Sequence, residues 1–355
     1  MSIVIALIIF GLIVTVHEFG HFICAKLSGI KVLEFSVGMG PKLLQKQKGE
    51  TKYSLRLLPI GGYCAMEGED SSNDDPRSFR NAKLWKRIVV LAAGAGMNFV
   101  LGIVSLLITM SVIYDSIPTP VIKGFSAVIN EDESITYYSK SRETGLCKQD
   151  KFVSIDGTRI YSVLDLEYIF ASITSDESHT VVVKRDGKKV KLENVVFDNT
   201  YEGGGVVDFG LRSEKKNPLT VIKGAGGQFM SMTHLIGISL KQLFTGKVTK
   251  DDVSGPVGVV SQISEVAEQS QSVKEAADNL LFLLSLITIN VGIFNLLPIP
   301  ALDGGRLLFC FIELIRRKPI KPEHEGYVHL VGMALLIGIM IFATYNDIVR
   351  LVTGG

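Results

Sequence analysis

Cysteine is scarce in this chain, and so is any excess of one charge. Four cysteines stand among 355 residues: Cys24, Cys64, Cys147 and Cys310. They form no C-x-x-C and no short pairing pattern, which argues against a disulfide framework and for free thiols. Cys24 falls one turn beyond His21, but packing suits it better than ligation. Lysine and arginine total 37 against 36 aspartate and glutamate, a net charge of +1. No bulk charge therefore points to nucleic acid, and the basic residues matter by position. The first apolar run also lacks the basic start and small-residue cleavage site of a signal peptide. It reads as a retained membrane helix.

Apolar sequence is what the chain has in plenty. Hydrophobic residues make up 47% and the mean hydropathy is +0.32. The excess lies in a few long runs, so a polytopic α-helical membrane protein is expected. Segments 1–27, 88–114, 280–305 and 328–355 are expected to hold four transmembrane helices. Twelve Lys or Arg lie between Lys26 and Arg87, and Arg306, Arg316, Arg317, Lys318 and Lys321 follow the third span. The positive-inside rule puts loops 28–87 and 306–327 in the cytosol.

The first span carries His17-Glu18-Phe19-Gly20-His21. Residues four apart on a helix share a face, so the two imidazoles can bind one metal ion. Glu18 is placed to act as base on a water at that ion. Such groups are costly at membrane depth, which favours a functional role. The third span runs into Asn295-Leu296-Leu297-Pro298-Ile299-Pro300-Ala301-Leu302-Asp303-Gly304-Gly305. Its prolines must break the helix, and irregular backbone at that depth is tolerated only when buried or lining a cavity. Four alternating spans bring the cytosolic ends of the first and third together. Asp303 then joins His17 and His21 as a third ligand for Zn2+, leaving the fourth position for water. His324 and His329 are five apart and share no face, so they read as plain polar residues at a helix start.

Between the spans, residues 31–37 and 53–58 alternate like short strands, punctuated by Gly38-Met39-Gly40-Pro41 and Gly61-Gly62. They suggest a membrane-associated hairpin or small sheet. Residues 67–78 read as an acidic loop. In the second span Gly94-Ala95-Gly96-Met97-Asn98 suits close helix approach, and Asn98 can bond a neighbouring helix or a ligand group. Residues 115–213 read as a compact extracytoplasmic α+β domain, with a helix over 163–173 and a hairpin across Arg185-Asp186-Gly187-Lys188. Residues 214–279 hold an amphipathic stretch, 218–247, expected at the membrane surface rather than through it.

This set suits hydrolysis of a peptide bond in or near the membrane. The same ligands would serve a metal transporter or metal sensor, and a scaffold with a structural metal is a third reading. Glu18 separates them, because only hydrolysis needs a base beside the ligands. A helical substrate must unwind locally, since its backbone groups are paired in the ladder. The sheet edge, Asn295, Gly38, Gly40 and Asn98 are candidate substrate-binding positions.

These motifs resemble the site-2 protease family of intramembrane zinc metalloproteases, in its bacterial regulator-of-sigma-E-protease branch. Phe35 to Pro41 is similar to its membrane-associated hairpin, Gly94 to Asn98 to its motif in span two, and Ser254-Gly255-Pro256-Val257-Gly258 to its Gly-Pro-x-Gly element. Thr144-Gly145-Leu146-Cys147-Lys148-Gln149-Asp150 resembles the Ala-Gly-Leu-x-x-Gly-Asp stretch of its PDZ insert, with Gln149 where glycine is usual. The resemblance implies one PDZ-like domain acting as a size filter. It also implies a bacterial plasma membrane location and single-span substrates such as anti-sigma factors and signal-peptide remnants.

Overall fold

Helix α1 (Ser2–Leu27) is apolar on every side, as a helix surrounded by lipid or protein must be. It stops at Gly29, whose φ of +78° suits a left-handed cap. Gly29 N–H donates to the Lys26 carbonyl and Ile30 N–H to the Ala25 carbonyl, the two bonds of a Schellman motif. The computed structural model describes residues 2–69, 75–129, 135–137, 139–173, 177–198, 208–246 and 255–353. Ser254 and residues 70–74 of the expected acidic loop lie outside these. The chain forms two units, Met1–Ser105 with Leu240–Gly355, and Leu106–Ser239.

In the first unit, β1 (Val32–Lys48) and β2 (Thr51–Met66) are far longer than the two short strands expected from alternation. Each bends, so residues 32–37 pair with 62–66 on one side and with 52–55 on the other. Gly38 and Gly40 make the first bend at φ +82° and +84°, and Gly61 the second at +82°. The glycines hid this from a period-two reading, because a bend resets the alternation. Arg56, Ser54 and Tyr63 surround Glu34. Burial alone would raise the Glu34 carboxyl, but bonds from Ser54, Tyr63 and Arg56 hold it down at about 2. Met39, Leu43, Leu44, Leu57 and Leu58 around the bends are exposed and apolar. At this end the Pro59 carbonyl lies directly against Gly11 of α1, where a Cβ would not fit.

Helix α2 (Leu84–Ile108) continues as a π-helical turn, Thr109–Ile113. Gly20 of α1 rests on the Ala93 carbonyl of α2, a contact no larger residue permits. In the second unit β3 (Ser116–Phe125), β6 (Lys151–Ile155), β8 (Ser178–Arg185), β9 (Lys188–Val196) and β10 (Phe209–Lys215) form a sheet ordered β10-β3-β6-β8-β9. The short strand β7 (Thr158–Arg159) pairs with β6, while β4 (Ala127–Ile129) and β5 (Ile135–Tyr137) pair with each other. Phe152, Leu166, Val181, Val183 and Phe197 form the core under helix α4 (Val163–Phe170). Helix α3 (Lys140–Glu143) precedes a tight loop in which buried Asp150 pairs with Arg185 at 2.7 Å. Helix α5 (Pro218–Phe244) follows β10, and its Ser231 donates to buried Asp165 of α4.

The first unit resumes with α6 (Pro256–Gln269), α7 (Val273–Leu296), α8 (Asp303–Arg316) and α9 (Pro322–Thr353). Among the described residues four helical segments are long and apolar enough to cross a membrane: Ile3–Leu27, Leu84–Ile113, Val273–Leu296 and Glu323–Arg350. Residues 218–246, the described part of the expected surface stretch 218–247, contribute none. The second and fourth spans start four and five residues earlier than expected, at Leu84 and Glu323, and the third differs most, at both ends. The third span starts seven residues before the apolar run at 280, because Ser272 caps the helix by accepting from Glu275 N–H. It also ends at Leu296, so Asp303 is not part of that span but opens α8. The expected loop at 306–327 is thus largely helical. Gly102 of α2 packs on Thr288 and Ile289 of α7, and Gly292 of α7 on Phe99.

Candidate active site

His17 and His21 lie on one face of α1 and are buried, at 8% and 6% exposure. Their Nε2 atoms are 3.1 Å apart. Asp303 Oδ2 lies 3.0 Å from His17 Nε2 and 3.2 Å from His21 Nε2. Three donor atoms thus form a nearly equilateral triangle. A tetrahedral ion with bonds of about 2.0–2.1 Å needs ligand atoms about 3.3 Å apart, so the triangle fits zinc with little movement.

The outer ring nitrogens set the tautomers that such an ion requires. His21 Nδ1–H donates to the Val90 carbonyl at 2.8 Å, which leaves Nε2 with its lone pair. His17 Nδ1 lies 3.2 Å from the side-chain amide of fully buried Asn98. Asn98 Oδ1 is buried and has no hydrogen-bond partner among the described residues. Turning the amide by 180° lets Oδ1 accept from His17 Nδ1–H and frees His17 Nε2 as a ligand. Gly94 completes the cradle. A Cβ there would lie 2.6 Å from His17 Nε2 and strike His21 Nε2, filling the space between the ring nitrogens.

Glu18 points toward the sheet. Its Oε2 accepts from the Cys64 N–H at 2.9 Å, within the 62–66 segment of β2. Gly62 is close enough that a Cβ on it would lie 3.8 Å from Glu18 Cγ. The strand beside Glu18 is therefore 62–66, not the 31–58 region from which an edge was expected. Cys64 and Gly94 were both missed as site residues. Their signals, a lone cysteine and one glycine of a small-residue cluster, resemble ordinary packing sequence.

Other expected residues stand apart. Asn295 is half-buried in the last turn of α7. Gly38 and Gly40 shape the sheet, and their carbonyls accept from Ser36 Oγ and Arg56 Nη1. No hydrogen bond joins these three to the His17 cluster among the described residues. Cys24 packs with the core around Ala25 and Val90 and is outside the three-ligand group. His329, expected to be a plain polar residue, instead accepts a hydrogen bond from Ala301 N–H at 2.9 Å.

Comparison with known proteins gives the same direction. A family model, peptidase family M50, matches residues 5–339. The zinc metalloprotease RasP of Bacillus licheniformis is 32% identical over an alignment covering 99% of this chain and all of that protein. The regulator of sigma-W protease RasP of Bacillus subtilis is 30% identical, with 99% of each chain covered.

Proposed function

Because the chain belongs to peptidase family M50, the site-2 protease family, and is an intramembrane zinc metalloprotease, we propose that His17, His21 and Asp303 hold its zinc ion and that Glu18 is its base. The triangle of ligand atoms 3.0–3.2 Å apart carries this assignment. His17, His21 and Asp303 would hold the ion, and zinc bound there would supply Lewis acidity for hydrolysis of a peptide bond. Glu18 Oε2 is held by Cys64 N–H, so Oε1 is the oxygen we assign to take the proton of the attacking water and return it to the leaving amine. A transporter or sensor with the same ligands has no use for a carboxylate fixed in this way.

The substrate is a membrane protein. We assign it more narrowly as a single-span protein, such as an anti-sigma factor or a signal-peptide remnant. The relative named regulator of sigma-W protease supports that class. The unwound substrate would lie extended along residues 62–66, beside Glu18, with Asn295 at the end of α7 as a second contact. The basic loops support a cytosolic placement of the site and an extracytoplasmic one for residues 115–213. The second unit reads as the PDZ-like domain. Gln149, where that loop usually carries glycine, has φ +70°, and Asp150 closes the loop by accepting from Cys147 N–H at 2.8 Å. We assign it a filter on substrate size.

Co-expression with a single-span substrate lacking most of its outside domain tests the proposal. Wild type should cleave it. Glu18→Gln should keep zinc and lose cleavage by about 10²-fold or more, whereas Asp303→Ala should lose both. Equal cleavage in all three would overturn the assignment.

A further inference from the structure

The ligand Asp303 is presented by residues 297–302, which join α7 to α8 and belong to neither helix. The segment is wound tightly over the start of α8. A Cβ on Gly305 would lie 2.6 Å from the Ile299 carbonyl, and Gly304 is crowded by the backbone of Leu296 and Leu297. Within it Ala301 adopts φ +74°. A residue with a Cβ is disfavoured in that left-handed region, and holds it only where its surroundings enforce it.

The enforcing contacts come from α9. Ala301 N–H donates to His329 Nδ1 at 2.9 Å. One turn further along α9, Gly332 receives Pro300. A Cβ on Gly332 would lie 2.8 Å from both the Pro300 carbonyl carbon and its oxygen, and would strike the proline ring. His329 and Gly332 are three residues apart and therefore on one face of the helix. That face has a notch for Pro300 and an acceptor for the next residue's N–H, two positions before the ligand. The His329 ring is itself steadied by Phe309 of α8, 5.8 Å away between ring centres.

We propose that His329 is a positioning residue for the metal site: by fixing Ala301 in its left-handed conformation, it holds Asp303 Oδ2 against the two histidines. The proposal rests on the reading of Asp303 as a zinc ligand. It makes α9 the part of the fold that sets the third ligand, although α9 supplies no ligand itself. Loss of the acceptor should let Ala301 relax to negative φ and withdraw the carboxylate. Outer supports of metal ligands typically change metal affinity by about 10- to 100-fold.

The test uses the full chain purified in detergent, with zinc affinity measured by chelator competition and ligand geometry by the visible absorption of the Co2+-substituted protein. His329→Leu should bind zinc at least tenfold more weakly with an altered Co2+ spectrum, while its thermal unfolding stays close to that of wild type. His329→Asn offers Oδ1 where Nδ1 stood and should restore affinity to within about threefold of wild type, as expected for recovery of one hydrogen bond. If His329→Leu does not accumulate, the double variant with Ala301→Gly serves, because glycine adopts positive φ without help. It should accumulate where the single variant does not and bind zinc within threefold of wild type; a double variant that also fails to accumulate, or that binds zinc tenfold more weakly, would overturn the proposal. Wild-type affinity and spectrum in His329→Leu, or equal losses in the Leu and Asn variants, would overturn the proposal. Asp303→Ala in the same assay separates the two readings. If it binds zinc like wild type, the ligand assignment itself fails.

Discussion

The N–H of Cys64 donates to the Glu18 carboxylate at 2.9 Å, tying the edge of a bent strand to the proposed base. The contact uses the main chain, so the side chain of Cys64 should matter little. Cys64→Ala retains the donor and should keep most of the activity. Cys64→Pro removes it and should lower turnover at least tenfold while zinc is retained. Peptidase assays alongside metal analysis check both halves.

Gly94 and Gly96 look alike in sequence and differ in place. A Cβ on Gly94 enters the space between the two Nε2 atoms, whereas one on Gly96 meets nothing within 4 Å. Gly94→Ala should abolish metal binding and cleavage, and Gly96→Ala should leave both near wild type. Zinc content of the purified variants decides the matter.

We assign Asn98 the role of setting the tautomer of His17, from its side-chain amide 3.2 Å from His17 Nδ1. Asn98→Ala should weaken zinc binding by about 10- to 100-fold, the usual effect of losing an outer partner of a metal ligand. Asn98→Asp keeps an acceptor and should lose much less. Chelator competition measures the difference, and a wild-type affinity in the alanine variant would refute the assignment.

Arg87 of α2 and Glu313 of α8 form an ion pair at 2.6 Å, with side-chain exposures of 8% and 7%. Ile320 N–H also donates to Glu313 at 3.0 Å. Removing one partner leaves a buried charge, so Arg87→Met should destabilise the protein by about 3 kcal/mol or more. Arg87→Met with Glu313→Leu should recover much of that loss. Thermal unfolding in detergent measures both.

The four spans were legible because lipid demands about 20 consecutive apolar residues, a property of sequence alone. The positions of His17 and His21 were legible for a similar reason, since helical spacing is local. The long bent strands were not. Gly38, Gly40 and Gly61 read as turns, but whether a glycine ends a strand or bends it depends on what lies across from it. The start of the third span was missed because Ser272 and Glu275 extend the helix through polar sequence before the apolar run begins.

By itself the sequence determined the class of protein, with its four apolar spans, and marked the proposed donors: a histidine pair with a neighbouring carboxylate, and an aspartate after a proline-broken helix. Only the tertiary structure decided which groups support those donors. The Cys64 amide lies 46 residues from Glu18, Gly94 and the Asn98 amide lie 77 and 81 residues from His17, and His329 lies 28 residues from Ala301 in sequence. The local pattern marked Gly94 to Asn98 only as a small-residue cluster with one polar group; which atom each partner meets depends on two distant segments being packed to within hydrogen-bond distance or van der Waals contact.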